Sequence, residues 1–139
     1  MRSSALIDTG VLYAMADSDD AWHVRVRAHF ESSKEDIIVP VTVLPEASCL
    51  LSAHLGQDAE QHLVQALLAG EMKIEGLAMT DLRRAAALLE EYADANIGFV
   101  DATVVAIAER LKIRRLLTTD RRHFSIIKPR HCKAFDLLP

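Results

Sequence analysis

The sequence predicts an α/β sandwich built on a mainly parallel sheet, and two observations predict it. Short apolar runs of strand length recur along the chain, and a helical stretch separates each from the next. In sheets of that kind, ligands sit outside the carboxyl ends of the strands. A third observation gives that rule something to act on. Asp8, Glu46, Asp101 and Asp120 each stand where an apolar segment ends or turns.

The elements follow in order. Ser4–Ile7 is a short apolar strand closed by Asp8-Thr9-Gly10, and residues 11–16 read as one or two helical turns. Asp19 or Asp20 caps a helix over 21–32, whose Trp22, Val26 and Phe30 share one face at four-residue spacing. Ile37-Ile38-Val39 is a second buried strand, stopped by Pro40. Residues 41–55 are helical, with Leu44, Leu51 and Leu55 apolar and Gly56 as terminator. Residues 57–69, carrying Leu63 and Leu67, form another helix ended by Gly70. Alternation over 72–75 marks a strand. Thr80 or Asp81 caps a long helix over 82–95, and 101–112 make a further one rich in Ala, Val and Ile. A fourth strand spans 115–118, and 133–136 supply a fifth. With no internal repeat, low-complexity tract or linker, residues 1–139 read as a single domain.

The composition is that of a globular protein: 50% hydrophobic and 26% charged, with five Gly and four Pro. Cys49 and Cys132 form neither a metal-binding spacing nor a disulfide framework, and read as small core hydrophobes in a reducing cytosol. A carboxylate at position 8 interrupts any secretory apolar region, and no run approaches the roughly 20 apolar residues of a membrane span. The expectation is a cytoplasmic protein with no membrane partner. Net charge is −4, yet it is unevenly spread. From Arg110 onward nine bases face two acids, a net of +7, while residues 1–109 carry −11. A basic tail around Asp120 can contact phosphates or can simply be a solvated surface.

Each acid taken alone has an ordinary explanation. Asp8 can N-cap the helix that follows, Asp101 can be a first-turn acid favoured by the helix dipole, and Asp120 can cap a turn through Arg121-Arg122. Glu46 is harder to place, because Val43, Leu44, Ala47, Cys49, Leu50 and Leu51 leave little polar face around it. Taken together, the acids pose an electrostatic problem. Two like charges about 4 Å apart repel by about 4 kcal/mol at an effective dielectric near 20. A divalent cation removes that repulsion, and oxygen ligands without Cys or clustered His favour Mg²⁺ or Mn²⁺ over zinc. Such an ion activates water for attack on a phosphodiester. Thr9, Thr118 and Thr119 can hydrogen-bond a ligand carboxylate or cap helices, and His123 can touch phosphate or pack a corner.

Four segments carry a likeness. Leu6-Ile7-Asp8-Thr9, Val43-Leu44-Pro45-Glu46-Ala47, Phe99-Val100-Asp101-Ala102 and Thr118-Thr119-Asp120-Arg121-Arg122-His123-Phe124 resemble the PIN-domain ribonucleases. The likeness is to the VapC-type toxins of bacterial toxin–antitoxin pairs, and it runs essentially end to end, through Leu137-Leu138-Pro139. It implies a three-layer α/β/α sandwich with a five-stranded sheet and an acidic Mg²⁺ or Mn²⁺ site. Asp8, Glu46, Asp101 and Asp120 take the ligand positions, Thr118 or Thr119 a polar helper position, and Asp94 an outer one. It also implies an RNA substrate, a homodimer, and a small antitoxin laid over the acidic mouth. The face bearing Trp22, Val26 and Phe30 either offers that antitoxin a groove or packs on the sheet.

The expected function is therefore a metal-dependent endoribonuclease, with Arg114, Arg115, Arg121, Arg122, Lys128 and Arg130 as the bases that hold the RNA backbone. Alternatives are a solitary PIN ribonuclease in RNA processing and a PIN fold that binds RNA without cutting. A phosphoacceptor receiver domain is a more distant class. It needs adjacent acids after the first strand, where this chain has one, and Asp58 sits in a helix.

Overall fold

The computed structural model describes residues 3–139. Five strands, β1 (Ser4–Ile7), β2 (Asp36–Pro40), β3 (Lys73–Glu75), β4 (Arg115–Leu117) and β5 (Asp136–Leu138), form one sheet in the order β3-β2-β1-β4-β5. Every pairing is parallel. Parallel neighbours need long crossovers, which the helices supply: α1 (Thr9–Ala16), α2 (His23–Ser32), α3 (Val43–Leu55), α4 (Gln57–Leu68), α5 (Met79–Glu91), α6 (Phe99–Leu111) and α7 (Arg121–Ile126).

Sheet order fixes where the chain reverses. It runs outward from β1 to β3, then returns to the other side of β1 to lay down β4 and β5. Right-handed crossovers then place the helices before and after β3 on opposite faces. The packing agrees, with α1 against α2 and α3, α3 against α4, and α5 against α6. The reversal opens a crevice above the carboxyl ends of β1 and β4.

Burial on both faces explains the strand composition. Ala5, Leu6 and Ile7 in β1 and Leu116 and Leu117 in β4 are fully enclosed. Helix α6 is buried without a break from Ala102 to Ala108, so it shows apolar residues on all sides rather than a stripe. Its one internal polar group, Thr103, donates its hydroxyl to the Val100 carbonyl and pairs with the Thr42 hydroxyl at 2.7 Å. That contact ties the start of α3 to the first turns of α6.

Several expected boundaries move, each for a local reason. Helix α2 starts at His23 rather than 21, because the Asp20 carboxylate accepts from the Trp22 N–H and folds the chain into a turn first. Helix α5 starts earlier than 82: the Asp81 carboxylate accepts from the Ala78 N–H at 2.8 Å. It also ends earlier, with a 3₁₀ turn at Ala93–Ala95 closing the expected 82–95 span. The fifth strand is displaced from 133–136 to Asp136–Leu138, where it pairs residue by residue with Arg115–Leu117. Cys49 is exposed and Cys132 half-buried, so neither is the core residue it was expected to be. Val26 is fully enclosed, and Trp22 and Phe30 pack partly buried against the core. That face of α2 therefore packs largely on the core, with Phe30 also lining a surface hollow beside Met15, Arg27 and Glu31.

Candidate functional site

The acid nearest the sheet is Asp8. It directly follows β1, and its extended backbone (φ −101°, ψ 177°) makes it the N-cap of α1, with the Val11 N–H donating to its carboxylate at 3.2 Å. Its second oxygen accepts a short hydrogen bond from the Thr118 hydroxyl at the end of β4. Thr118, itself buried, also accepts from the Asp120 N–H at 2.8 Å. One hydroxyl thus fixes both Asp8 and the backbone of Asp120.

Asp8 is only 7% exposed, and burial pushes its carboxyl up to about 7. The bonds from Thr118 and Val11 pull it back, and the neighbouring Asp101 and Asp120 raise it again. Asp101 stands in the first turn of α6 and is also raised, by burial first and then by repulsion from Asp120. His123 and the Gly98 backbone lower it, and Glu46 raises it further. The three aspartates therefore share one field, with Glu46 close enough to be felt.

Asp120 is the N-cap of α7, accepting from the His123 N–H at 3.1 Å. Its other oxygen lies 2.8 Å from His123 Nδ1, which in turn is 3.6 Å from an Asp101 oxygen. The imidazole thus stands between two of the acids, a place more central than the phosphate contact or packing corner read from sequence.

Glu46 is exposed on the first turn of α3 and lines the same cleft, of about 230 Å³, as Asp8, Asp101 and Asp120. Thr9, Gly10 and Thr119 complete its polar wall. Gly10 has a packing reason that sequence reading missed. A Cβ there would fall 2.1 Å from the Thr119 hydroxyl oxygen, so glycine lets α1 approach the end of β4 without displacing that side chain. A glycine in the first turn of a helix was the available signal. The Thr9 hydroxyl is buried and has no hydrogen-bond partner, an acceptor and donor left open inside the cleft.

The bases expected to hold RNA separate. Arg115 begins β4, at the amino end of the sheet, and is paired with Glu35 at 2.7 Å; Arg114 precedes it there. Neither stands at the mouth. Arg121 follows Asp120 but donates to the Leu137 and Pro139 carbonyls and lies over the Trp22 ring, so its guanidinium anchors the C-terminal strand. Arg122, beside Asp120, is exposed, as are Lys128 and Arg130. Arg130 lines a separate cleft between α5 and α6, where Arg84 pairs with Glu109 and Arg110 with Asp81. Asp94 is exposed in the 3₁₀ turn and does not line the acidic cleft. No described helix is long and apolar enough to cross a membrane.

This fold and this cleft match known proteins. The PIN domain family matches residues 5–128. Ribonuclease VapC26 of Mycobacterium tuberculosis is 32% identical over 134 residues, covering 96% of this chain and 99% of that protein. The crystal structure of VapC20 from the same organism, described as a sarcin–ricin loop cleaving toxin, superimposes with a TM-score of 0.76. Identity there is 22%, over 81% of this chain and 86% of that one. VapBC2 of Rickettsia felis, solved on a fragment of promoter DNA, gives a TM-score of 0.71 at 14% identity, over 98% of this chain and 99% of that one. The chain belongs to the PIN-domain family and, within it, to the VapC-type proteins.

Proposed function

We propose that the protein is a divalent-metal-dependent endoribonuclease, the toxin of a toxin–antitoxin pair, with Asp8, Glu46, Asp101 and Asp120 holding Mg²⁺ or Mn²⁺. The observation that carries this reading is the convergence of Asp8, Asp101 and Asp120 at the chain-reversal crevice, where burial and mutual repulsion raise Asp8 and Asp101. The residues fit such an ion. Their donors are carboxylate oxygens, as hard divalent cations require, and the open Thr9 hydroxyl gives a polar group for a water or ligand in the cleft. A bound divalent cation would supply Lewis acidity, activating water and offsetting charge that develops on the phosphate.

The chain's own groups do the positioning. Thr118 holds Asp8 in place, and the Thr42–Thr103 contact fixes α3, with Glu46, relative to Asp101. Glu46, being exposed, marks the rim by which a phosphodiester enters. Arg122 is the base best placed to meet the RNA backbone there, next in line after Asp120 and Arg121. The ribonuclease named among the relatives supports the RNA substrate, and the VapBC complex among the structural neighbours supports an antitoxin partner. A homodimer belongs to the same proposal.

The test is cleavage of a structured RNA by the purified protein with Mg²⁺, with Mn²⁺ and with EDTA. Cleavage that needs the ion and is lost in both Asp8→Asn and Asp101→Asn supports the assignment. Ion-dependent cleavage by both variants overturns it. Co-purification with the product of an adjacent short reading frame, and suppression of cleavage by it, tests the toxin role.

A further inference from the structure

The imidazole of His123 occupies a position that the four-acid reading does not use. Its Nδ1 lies 2.8 Å from an Asp120 oxygen and 3.6 Å from an Asp101 oxygen, and all three atoms fall within 4.8 Å of one another. A single N–H bond to Asp120 accounts for the first distance. The second is too long for a hydrogen bond. The first is close to the roughly 3 Å that adjacent ligands of an octahedral ion show with bonds of about 2.1 Å. The second falls short of the roughly 4.2 Å of opposed ligands, so a small turn of the ring brings all three atoms onto one ion.

The ring is held there without help from an ion. The His123 N–H donates to Asp120, so the residue is locked into the first turn of α7. Next to it Phe124 is 1% exposed and anchors the helix in the core. The side chain itself is 27% exposed, so its far nitrogen can carry the proton while Nδ1 presents a lone pair.

We propose that His123 is a direct nitrogen ligand of the cation held by Asp101 and Asp120, and that it makes the site select Mn²⁺ over Mg²⁺. This rests on the reading of the acids as a metal site and goes beyond it. Mg²⁺ keeps oxygen donors and its own waters, whereas imidazole nitrogen binds later first-row ions more strongly. Carboxylate oxygens suit both ions, so four of them alone discriminate weakly. The histidine therefore supplies the discrimination, and the aspartates supply the charge.

The experiment uses the full chain and the metal ions alone. Mn²⁺ binding is titrated from the free-ion electron paramagnetic resonance signal, and Mg²⁺ binding by calorimetry. Pulsed resonance of the Mn²⁺ complex then reads nitrogen directly bound to the ion. The expected result is a ¹⁴N coupling that becomes a ¹⁵N coupling when the protein is grown on ¹⁵N-histidine. In His123→Gln the coupling vanishes, and Mn²⁺ affinity falls clearly more than Mg²⁺ affinity does. A ring that only orients Asp120 would instead weaken both ions alike, by roughly 10–100-fold, with no coupling in the wild type. That outcome overturns the proposal and leaves the acidic site standing. Undiminished Mn²⁺ affinity in Asp101→Asn, or no Mn²⁺ binding by the wild type, overturns the proposal and the acidic site together. The labelled wild-type measurement decides the matter even where a variant fails to fold.

Discussion

The two ends of the sheet each hold an acid that the fold desolvates, and leave the two in opposite states. At the amino end, Glu35 precedes β2, and its side chain is 2% exposed. Burial pushes its carboxyl up, but bonds from Arg115 at 2.7 Å and His29 at 2.8 Å outweigh that and hold it below the ordinary range. At the carboxyl end Asp8 is 7% exposed and is pushed up to about 7. Beside its neighbours Asp101 and Asp120 stands the His123 imidazole, and no arginine or lysine pairs with either among the described residues. Burial raises both carboxyls, more deeply around Asp8, yet Glu35 ends below its ordinary range, so burial alone does not set the sign. The partner sets it. An acid supplied with an arginine is part of the scaffold, and a cluster supplied with none has the electrostatic need that the proposed cation would meet.

The strongest way to break that contrast is to neutralise one acid at the carboxyl end. Asp101→Asn removes a charge the proposed cation needs, and Lewis-acid assistance is worth several kcal/mol of transition-state stabilisation. Cleavage of a structured RNA is expected to fall about a thousandfold, with the fold retained by circular dichroism. Cleavage within about threefold of wild type would place the chemistry elsewhere.

Next in size is an effect on stability, and its sign runs against intuition. The folded chain keeps a proton on Asp8 that the unfolded chain, with its carboxyl near 3.8, has already released. Between about pH 4 and 7 the native state therefore binds more protons, and cation-free stability falls as pH rises through that window, then levels off. Three pH units at 1.36 kcal/mol each set an upper bound of about 4 kcal/mol. Asp8→Asn is expected to be more stable than wild type at pH 8 in EDTA, by thermal or urea unfolding. Added Mn²⁺ stabilises the wild type and narrows the gap, because it binds only the folded site. A variant less stable than wild type in EDTA contradicts the electrostatic account.

Glu35 gives the opposite slope. Its folded carboxyl lies below the unfolded value of 4.5, so its contribution is present above that pH and is lost as pH falls through the folded value. Glu35→Gln leaves Arg115 and His29 without an anionic acceptor, and hydrogen bonds to charged groups contribute about 1.5–3 kcal/mol. Unfolding at pH 7 should show a loss of that order, with cleavage unchanged. If cleavage falls with stability intact, the amino end is not mere scaffold.

The same contrast shows which parts of the molecule were legible in the chain. Asp8 and Asp120 could be placed at one mouth from sequence because each closes an apolar strand, and parallel strands put their ends on one side. Their bland readings as caps were also correct: both are N-caps, and capping is how the helix holds the carboxylate in position. The Glu35–Arg115 pair was not legible, since 80 residues separate its members and no periodic pattern links them. The role of His123 was hidden for another reason. It depends on α7, whose six residues are too few to show a helical repeat. Arg121 misled because its charge suggested phosphate, while its partners are carbonyls of a strand that sequence reading set three residues too early. Trp22, Val26 and Phe30 gave a correct periodicity and left open which way the face pointed.

The smallest effect probes the joint between scaffold and site. Gly10 lets α1 lie against the end of β4, and the Thr119 hydroxyl oxygen would sit 2.1 Å from a Cβ placed there. Gly10→Ala improves helix propensity by up to about 1 kcal/mol, against overpacking that costs about 1–3 kcal/mol. A net loss of about 1 kcal/mol is expected, with a further fall in cleavage because displaced Thr119 adjoins Asp120. Thr119→Ala removes the offending oxygen and leaves its Cβ at 3.3 Å, a contact that a small shift relieves. The double variant should recover most of the loss, giving a coupling of about 1 kcal/mol in a double-mutant cycle. Additive losses would mean that glycine serves the backbone of α1 rather than the approach of the two strand ends.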